Sequence, residues 1–468
     1  MVKICTEKYN KQNTYFDSWN FELSDFQKYA IEGITNGNNI IITAHTGSGK
    51  TLPAEFLMRY IKDSNKKLIY TAPIKALSNE KYHDFQSKFP EISFGLITGD
   101  AKFNPEADVL IMTTECLANT LYQMSMIEKG SIKKSQINLL FEMDIHKELG
   151  AVVFDEIHYI NDDDRGHVWE ESIMMLPKQV QILGLSATMH NPEKFCSWIE
   201  NIKQKPVWLC PNKKRVVPLK HYCYMTVAKS TLEKFEPVLK TIIENNNFYE
   251  NKILIKDTNF DEFTYEKICK VVKYFQQNNI WIDQKFVLNR IVHFMKMNNM
   301  LPAITFVFSQ KKCEQYASQI NCVLFEEGSK IPSIIADECK KTMMKLPNYK
   351  EYIQLPEYKK IVKLLEKGIA YHHAGVTGVF REMIELLFSK GYIKLLFATE
   401  TFSVGINMPT KTVVFTSMKK YSDKGFRWIK SHEYTQMAGR AGRRGIDTIG
   451  NVIHLTNFYA IQENNFPG

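Results

Sequence analysis

"TAHTGSGKTLPAEF", residues 43–56, follows the apolar run 38–42 (NNIII) and opens a stretch with helical spacing. An apolar strand, a glycine-rich turn and a Gly-Lys-Thr triplet at a helix start make a phosphate-binding loop, here with Ala44 where the usual pattern has its first glycine. Gly47 and Gly49 admit backbone conformations closed to residues with a Cβ, so successive N–H groups through Thr46, Gly47, Ser48 and Gly49 can turn inward onto phosphate oxygens. Lys50 then reaches the β and γ phosphates, Thr51 can hold Mg2+, and the helix beginning near Leu52 adds its positive end.

Around this loop, short β-branched runs alternate with helix-like stretches: 39–44 (NIIITA), 67–73 (KLIYTAP), 92–100 (ISFGLITGD), 108–114 (DVLIMTT), 150–160 (GAVVFDEIHYI) and 180–188 (VQILGLSAT). A second series runs through 303–309 (AITFVFS), 368–375 (GIAYHHAG), 392–400 (YIKLLFATE), 412–417 (TVVFTS) and 450–456 (GNVIHLT). Such alternation predicts an α/β protein of two domains, each a mainly parallel sheet with helices on both faces. The expected boundaries are an ATP-binding domain at 1–215, a connector at 216–300 that is rich in Asn and weakly periodic, and a second domain at 301–468 with a helical insertion near 325–368. The stretch 122–150 separates two strands by more than a short loop and reads as partly helical, with no role assigned.

Composition excludes several classes. Hydrophobic residues at 44% and charged residues at 24% suit a globular chain and not a disordered or fibrous one. The nine cysteines form no CxxC pair, which indicates neither a zinc site nor a disulfide framework and suits a reducing compartment. No run approaches the roughly 20 apolar residues of a membrane span, and the first residues lack a signal-peptide apolar segment, so the expectation is an intracellular, soluble protein. A net charge of +9 is compatible with a polyanionic partner without requiring one.

Two further motifs complete a nucleotide site. Asp155 and Glu156 close an apolar strand, where Asp155 can hold Mg2+ and Glu156 can act as base on an attacking water. In 436–445 (QMAGRAGRRG), Arg440 and Arg443 stand among glycines that let backbones approach closely, and either can supply positive charge to a γ phosphate.

With these residues assembled, the chain resembles the superkiller-like, exosome-associated DExH-box RNA helicases of superfamily 2. The resemblance covers residues 20 to about 460 through FELSDFQKYAI (21–31), APIKALSNEKY (72–82), TGD (98–100), TTECL (113–117), DEIH (155–158), SAT (186–188), FVFSQKKCE (306–314), YHHAG (371–375), FATETFSVGINMP (397–409) and QMAGRAGRRG. It implies two RecA-like domains using ATP and Mg2+, with Phe21 stacked on adenine, Gln27 on its edge, Gln436 beside the arginines, and Gly405 and Asn407 nearby. It implies that His158 pairs with the far domain through Gln436, and that Ser186 and Thr188 couple hydrolysis to domain movement. Pro73, Gly99, Thr113, Thr114, Ser309, Thr399 and Thr401 would grip a nucleic-acid backbone, a role small hydroxyls and loop N–H groups suit.

The expected activity is an ATP-dependent RNA helicase core moving 3′ to 5′ on single-stranded RNA and unwinding duplexes, as a monomer, in RNA decay or processing complexes. Two alternatives stand beside it: a DNA helicase of the related repair type, and an ATP-gated clamp that holds nucleic acid without hydrolysis. Relatives of this kind continue into a winged helix and a helical bundle after the arginine motif. The chain ends at NFYAIQENNFPG, so the expectation is a minimal protein or a fragment.

Overall fold

The fold was obtained as a computed structural model, which describes all residues except 1, 46, 132, 134–138, 163–164, 188, 190, 213–214, 229–232, 234–236, 238–247, 252–261, 279, 281–282, 401–409, 423–424 and 460–468. The chain divides into two units, Met1–Val216 and Val217–Gly468.

The first unit is built on strands β1 (Lys3–Ile4), β2 (Asn39–Ala44), β3 (Lys67–Ala72), β4 (Phe94–Ile97), β5 (Lys102–Phe103), β6 (Val109–Thr113), β7 (Leu149–Phe154), β8 (Gln181–Ser186) and β9 (Val207–Asn212). They form one sheet in the order β1-β9-β2-β8-β7-β3-β6-β4-β5, parallel except where β5 turns back on β4. The strands are continuous apolar runs because both faces are covered. Ile40, Ile42, Leu68, Tyr70, Ala151 and Val153 pack into one core, while Ile41, Ile69, Val152 and Phe154 pack into another on the opposite face. Crossover helices α1 (Asp25–Thr35), α2 (Leu52–Asp63), α3 (Lys75–Lys88), α4 (Thr114–Glu128), α5 (Gly166–Met175) and α6 (Pro192–Lys203) supply those covers. Among the described residues of the stretch 122–150, the end of α4 is helical and residues 139–148 are irregular up to β7.

The second unit carries β10 (Leu219–Tyr224), β11 (Phe248–Asn251), β12 (Ala303–Phe306), β13 (Ile369–His372), β14 (Leu395–Ala398), β15 (Thr412–Phe415) and β18 (Gly450–Leu455) in the order β11-β10-β18-β15-β12-β14-β13. All pairings are parallel except β10 with β11. A separate hairpin joins β16 (Lys419–Ser422) to β17 (Gly425–Trp428). Residues within the expected connector take part in this unit: β10 pairs with β18, and the helix Gln284–Met297 sends Leu288, Ile291, Val292 and Met295 into its core. β10 alternates polar and apolar residues too weakly to signal a strand alone, and it forms because β18 offers it an edge. The helices Ile331–Met344, Tyr349–Gln354 and Pro356–Leu365 occupy the expected helical insertion, and Ile335, Cys339, Ile361 and Leu365 from them are core residues.

Candidate nucleotide and nucleic-acid sites

In a parallel sheet every strand ends on the same edge, and the loops beyond those ends meet there. In the first unit the central order β2-β8-β7-β3-β6-β4 sorts the sequence motifs into two neighbouring groups. The loop after β2, Ser186 at the end of β8, and Asp155 and Glu156 after β7 come first. Pro73 after β3, Thr113 and Thr114 after β6, and Gly99 after β4 come next. Along the chain the second group falls as one block inside the first; along the edge they separate.

The first group is held by geometry that its residue types demand. Gly47 and Gly49 have φ of 79° and 83°, a region that favours glycine, and a Cβ at Gly47 would meet no atom within 4 Å, so the loop faces open space. Lys50 is nearly buried, and its Nζ lies 2.6 Å from Oε1 of Glu156. Asp155 accepts hydrogen bonds from the Tyr70 hydroxyl at 2.6 Å on Oδ2 and from the Glu156 N–H at 2.9 Å on Oδ1. Burial and the adjacent Asp155 carboxylate push the Tyr70 phenol well above its usual value, so it remains a donor. Glu156 itself is left-handed at φ 49°, a costly state for a residue with a Cβ, and this turn brings its carboxylate back over Lys50. His158 is buried, with Nδ1 3.4 Å from Oε2 of Glu156.

Gln27 on α1 and Phe21 just before it are the residues expected on the adenine side. Gln27 accepts from the Ser24 N–H at 2.9 Å and donates to the Gly49 carbonyl at 3.0 Å, which fixes its amide against the phosphate loop. Phe21 is 56% exposed. The buried hydroxyls of Ser48 and Ser186 have no hydrogen-bond partner among the described residues. An open loop with an inward lysine, an adjacent carboxylate and unsatisfied hydroxyls fits a magnesium nucleotide, since Mg2+ commonly takes one or two carboxylates and completes its shell with phosphates and water. Thr46 and Thr188 lie outside the described residues.

The second group has its own bracing. Arg165 donates to the Pro73 carbonyl at 2.5 Å and pairs with Glu115 in the first turn of α4, tying the ends of β3 and β6 together. The Thr113 hydroxyl is 3.3 Å from Sγ of Cys116, whereas Thr114 is fully buried and its hydroxyl has no partner among the described residues. Gly99 is exposed beside Lys75, which pairs with Asp100.

In the second unit, Ser309 follows β12 and accepts from the Lys312 N–H at 3.4 Å, and Thr399 follows the neighbouring β14. Thr401, Gly405 and Asn407 lie outside the described residues. Gln436 sits on the helix Ser431–Ala438, and Arg440 beyond it is buried, its carbonyl accepting from the Thr410 N–H at 2.8 Å. Arg443 makes a two-pronged pair with Asp447, Nε to Oδ2 at 2.7 Å and Nη2 to Oδ1 at 2.9 Å. That guanidinium holds the Asp447 carboxyl below its usual range.

Sequence reasoning did not find Tyr70, Arg165, Asp447 or the hairpin. Tyr70 and Arg165 act on partners 85 and 92 residues away, which no local pattern reveals. The hairpin did carry a signal: KKYSDKGFRW mixes bases and aromatics about a glycine turn. Tyr421 and Phe426 are 68% and 79% exposed and meet edge to face at 5.5 Å, and Lys419 lies 4.5 Å over the Trp428 ring.

Residues 24–195 match the family model for the DEAD/DEAH box helicase, and residues 329–445 match that for the helicase conserved C-terminal domain. The chain is similar to the antiviral helicase SKI2 of Saccharomyces cerevisiae, at 37% identity over 93% of this chain and 35% of the relative. It is similar to the DExH-box ATP-dependent RNA helicase DExH9 of Arabidopsis thaliana, at 36% over 93% of this chain and 41% of that one. The exosome RNA helicase MTR4 of Homo sapiens is 36% identical over 93% of this chain and 39% of its own length. The chain thus spans about two fifths of the length of these relatives. Among the described residues no helix is long and apolar enough to cross a membrane.

Proposed function

The chain belongs to the superkiller-like DExH-box helicases of superfamily 2, and from that premise we propose that it hydrolyses ATP with Mg2+ to move along single-stranded RNA in the 3′ to 5′ direction. The observation that carries this reading is the 2.6 Å pair between Lys50 and Glu156 at the mouth of the phosphate loop. It keeps the lysine and the base side by side and mutually neutral until a polyphosphate arrives. Phosphate oxygens then draw Lys50 away, and the freed Glu156 carboxylate takes a proton from the water that attacks the γ phosphorus, with ADP as leaving group. Thr51 and Asp155 would hold Mg2+, which would supply charge neutralisation on the phosphates. Tyr70 and the Glu156 N–H keep both Asp155 oxygens oriented. Gln436, Arg440 and Arg443 serve the same reaction from the second unit, with Arg443 as the cation at the γ phosphate.

Pro73, Gly99, Thr113, Ser309 and Thr399 contact the strand backbone, together with Thr401, while the fully buried Thr114 supports the loop beneath them. The exposed Tyr421 and Phe426 offer bases a stacking surface, as single-strand binding proteins do. RNA is favoured over DNA because the relatives named above are RNA or antiviral helicases; a role with exosome or superkiller partners is proposed on the same ground. The test is phosphate release from ATP by the full chain, alone and with single-stranded RNA or DNA of matched length. Stimulation by RNA in excess of DNA is expected. Stimulation by DNA alone would favour the repair-type reading, and absence of phosphate release with or without nucleic acid would favour the clamp.

A further inference from the structure

The β16–β17 hairpin has two chemically different faces. Strand alternation and the pairing of Lys419 with Trp428 and of Tyr421 with Phe426 place these four residues on one face. Lys420, Ser422, Gly425 and Arg427 form the other. The first face is the exposed aromatic one. The second turns onto Glu433, in the first turn of the helix Ser431–Ala438. Arg427 donates to Glu433 from both terminal nitrogens, at 2.9 and 2.7 Å. Lys420 Nζ lies 2.7 Å from the same carboxylate, and the Lys430 N–H donates to it at 2.7 Å. Lys420 also reaches Glu400, directly after Thr399, at 3.5 Å. Burial alone would raise the Glu433 carboxyl, yet the hydrogen bonds from Arg427, Lys420 and the Lys430 N–H outweigh it and hold it down at about 2.

No apolar side chain lies on the inner face among the described residues, so these charge-assisted bonds set the angle of the ribbon. A two-stranded ribbon alone is marginal in water and follows whatever body it is fastened to. Glu433 fastens it to a short helix on which Gln436 lies three residues further along, on the same side.

We propose that Glu433 is a positioning residue that couples the aromatic face of the hairpin to the helix bearing Gln436, so that RNA on the hairpin raises turnover at the nucleotide site. The inference rests on the nucleotide and RNA roles proposed above. Displacing the hairpin pulls on Glu433 through Arg427 and Lys420, and the helix moves with it. Glu400, held by the same lysine, brings the segment after β14 into the same network.

The experiment measures ATP turnover of the full chain with and without an oligouridine strand, together with oligouridine affinity by fluorescence anisotropy and the thermal midpoint. Glu433→Gln should keep RNA-free turnover and RNA affinity but lose about tenfold of the RNA stimulation, within the usual range of coupling between two sites. The charge exchange E433R with R427E should restore part of the stimulation, which a general weakening of the helix would not allow. Should Glu433→Gln fail to fold, Lys420→Gln on the inner face of the hairpin tests the same link and should lower stimulation in the same direction. Full stimulation in a folded Glu433→Gln overturns the coupling alone. Parallel loss of RNA-free turnover that the charge exchange does not restore also overturns it, because Glu433 would then serve only the helix. Absence of RNA-stimulated turnover in the unsubstituted chain overturns the proposed function and the coupling together.

Discussion

The two units each neutralise their own key cation, but by opposite means. In the first, Lys50 and Glu156 are 106 residues apart in sequence and meet because β2 and β7 end on the same sheet edge. In the second, Arg443 and Asp447 are four residues apart on one loop and meet through local chain geometry. The backbones that carry the first pair are set by a parallel sheet with both faces buried, so only the Lys50 side chain has to move when phosphate draws it from Glu156. The second belongs to a local turn, in which Arg443 and the largely covered Asp447 carboxylate pair across four residues of chain. The first unit thus sets its pair through the fixed geometry of a sheet, and the second sets its candidate cation through an adjustable local turn.

The most severe way to break that comparison is to remove the adjustable cation. Arg443→Ala should lower ATP turnover by about 10³-fold or more if it supplies charge at the γ phosphate. Single-turnover kinetics with ATP binding measured separately is the check, and a loss under about tenfold would move the role to Arg440. In the first unit, Glu156→Gln should retain nucleotide binding and lose about 10²-fold or more of turnover, since the shape stays and the base goes. A fluorescent nucleotide titration beside a phosphate-release assay separates the two effects, and normal turnover would remove Glu156 from its role.

The smallest expected effect concerns pH. Burial, reinforced by His221, depresses His454 from 6.5 to about 3 within a network that also contains Tyr434 and Tyr459. A histidine held neutral in the fold and free to protonate when unfolded stabilises fully above pH 6.5, and that contribution is lost as pH falls towards 3. At pH 5 the loss is about 2 kcal/mol, from roughly 1.4 kcal/mol per pH unit below 6.5. Urea unfolding at pH 7.5 and pH 5 should show a lowered midpoint for the second unit, and His454→Phe should flatten that difference. An unchanged slope in the variant would show that another group sets it.

Much of this was legible along the chain. The runs NIIITA, KLIYTAP, DVLIMTT and GAVVF are strands where periodicity and β-branching placed them, and Gly47 and Gly49 take the positive φ their loop requires. The six-residue strand β10 was not legible, because its sequence LKHYCY has no strong alternation and depends on β18 for its hydrogen bonds. Tyr70 looked like one more apolar strand residue until Asp155 was found 2.6 Å from its hydroxyl. Arg427, Lys420 and Glu433 read as ordinary surface charges, and nothing in their spacing says that they converge.

By itself, then, the sequence determined the parts whose cause is local: strand and helix periodicity, the glycine-dependent phosphate loop, the acidic pair at a strand end and the arginines among glycines. Tertiary structure decided which of those parts became neighbours. A parallel sheet gathers strand ends by spatial order and not by chain order, so β2-β8-β7-β3-β6-β4 brings the phosphate loop beside Ser186, Asp155 and Glu156, although Pro73, Gly99, Thr113 and Thr114 stand between them in sequence. Charges pair across whatever distance the fold closes, and the anchoring of an exposed hairpin to Glu433 could be seen only after that closure.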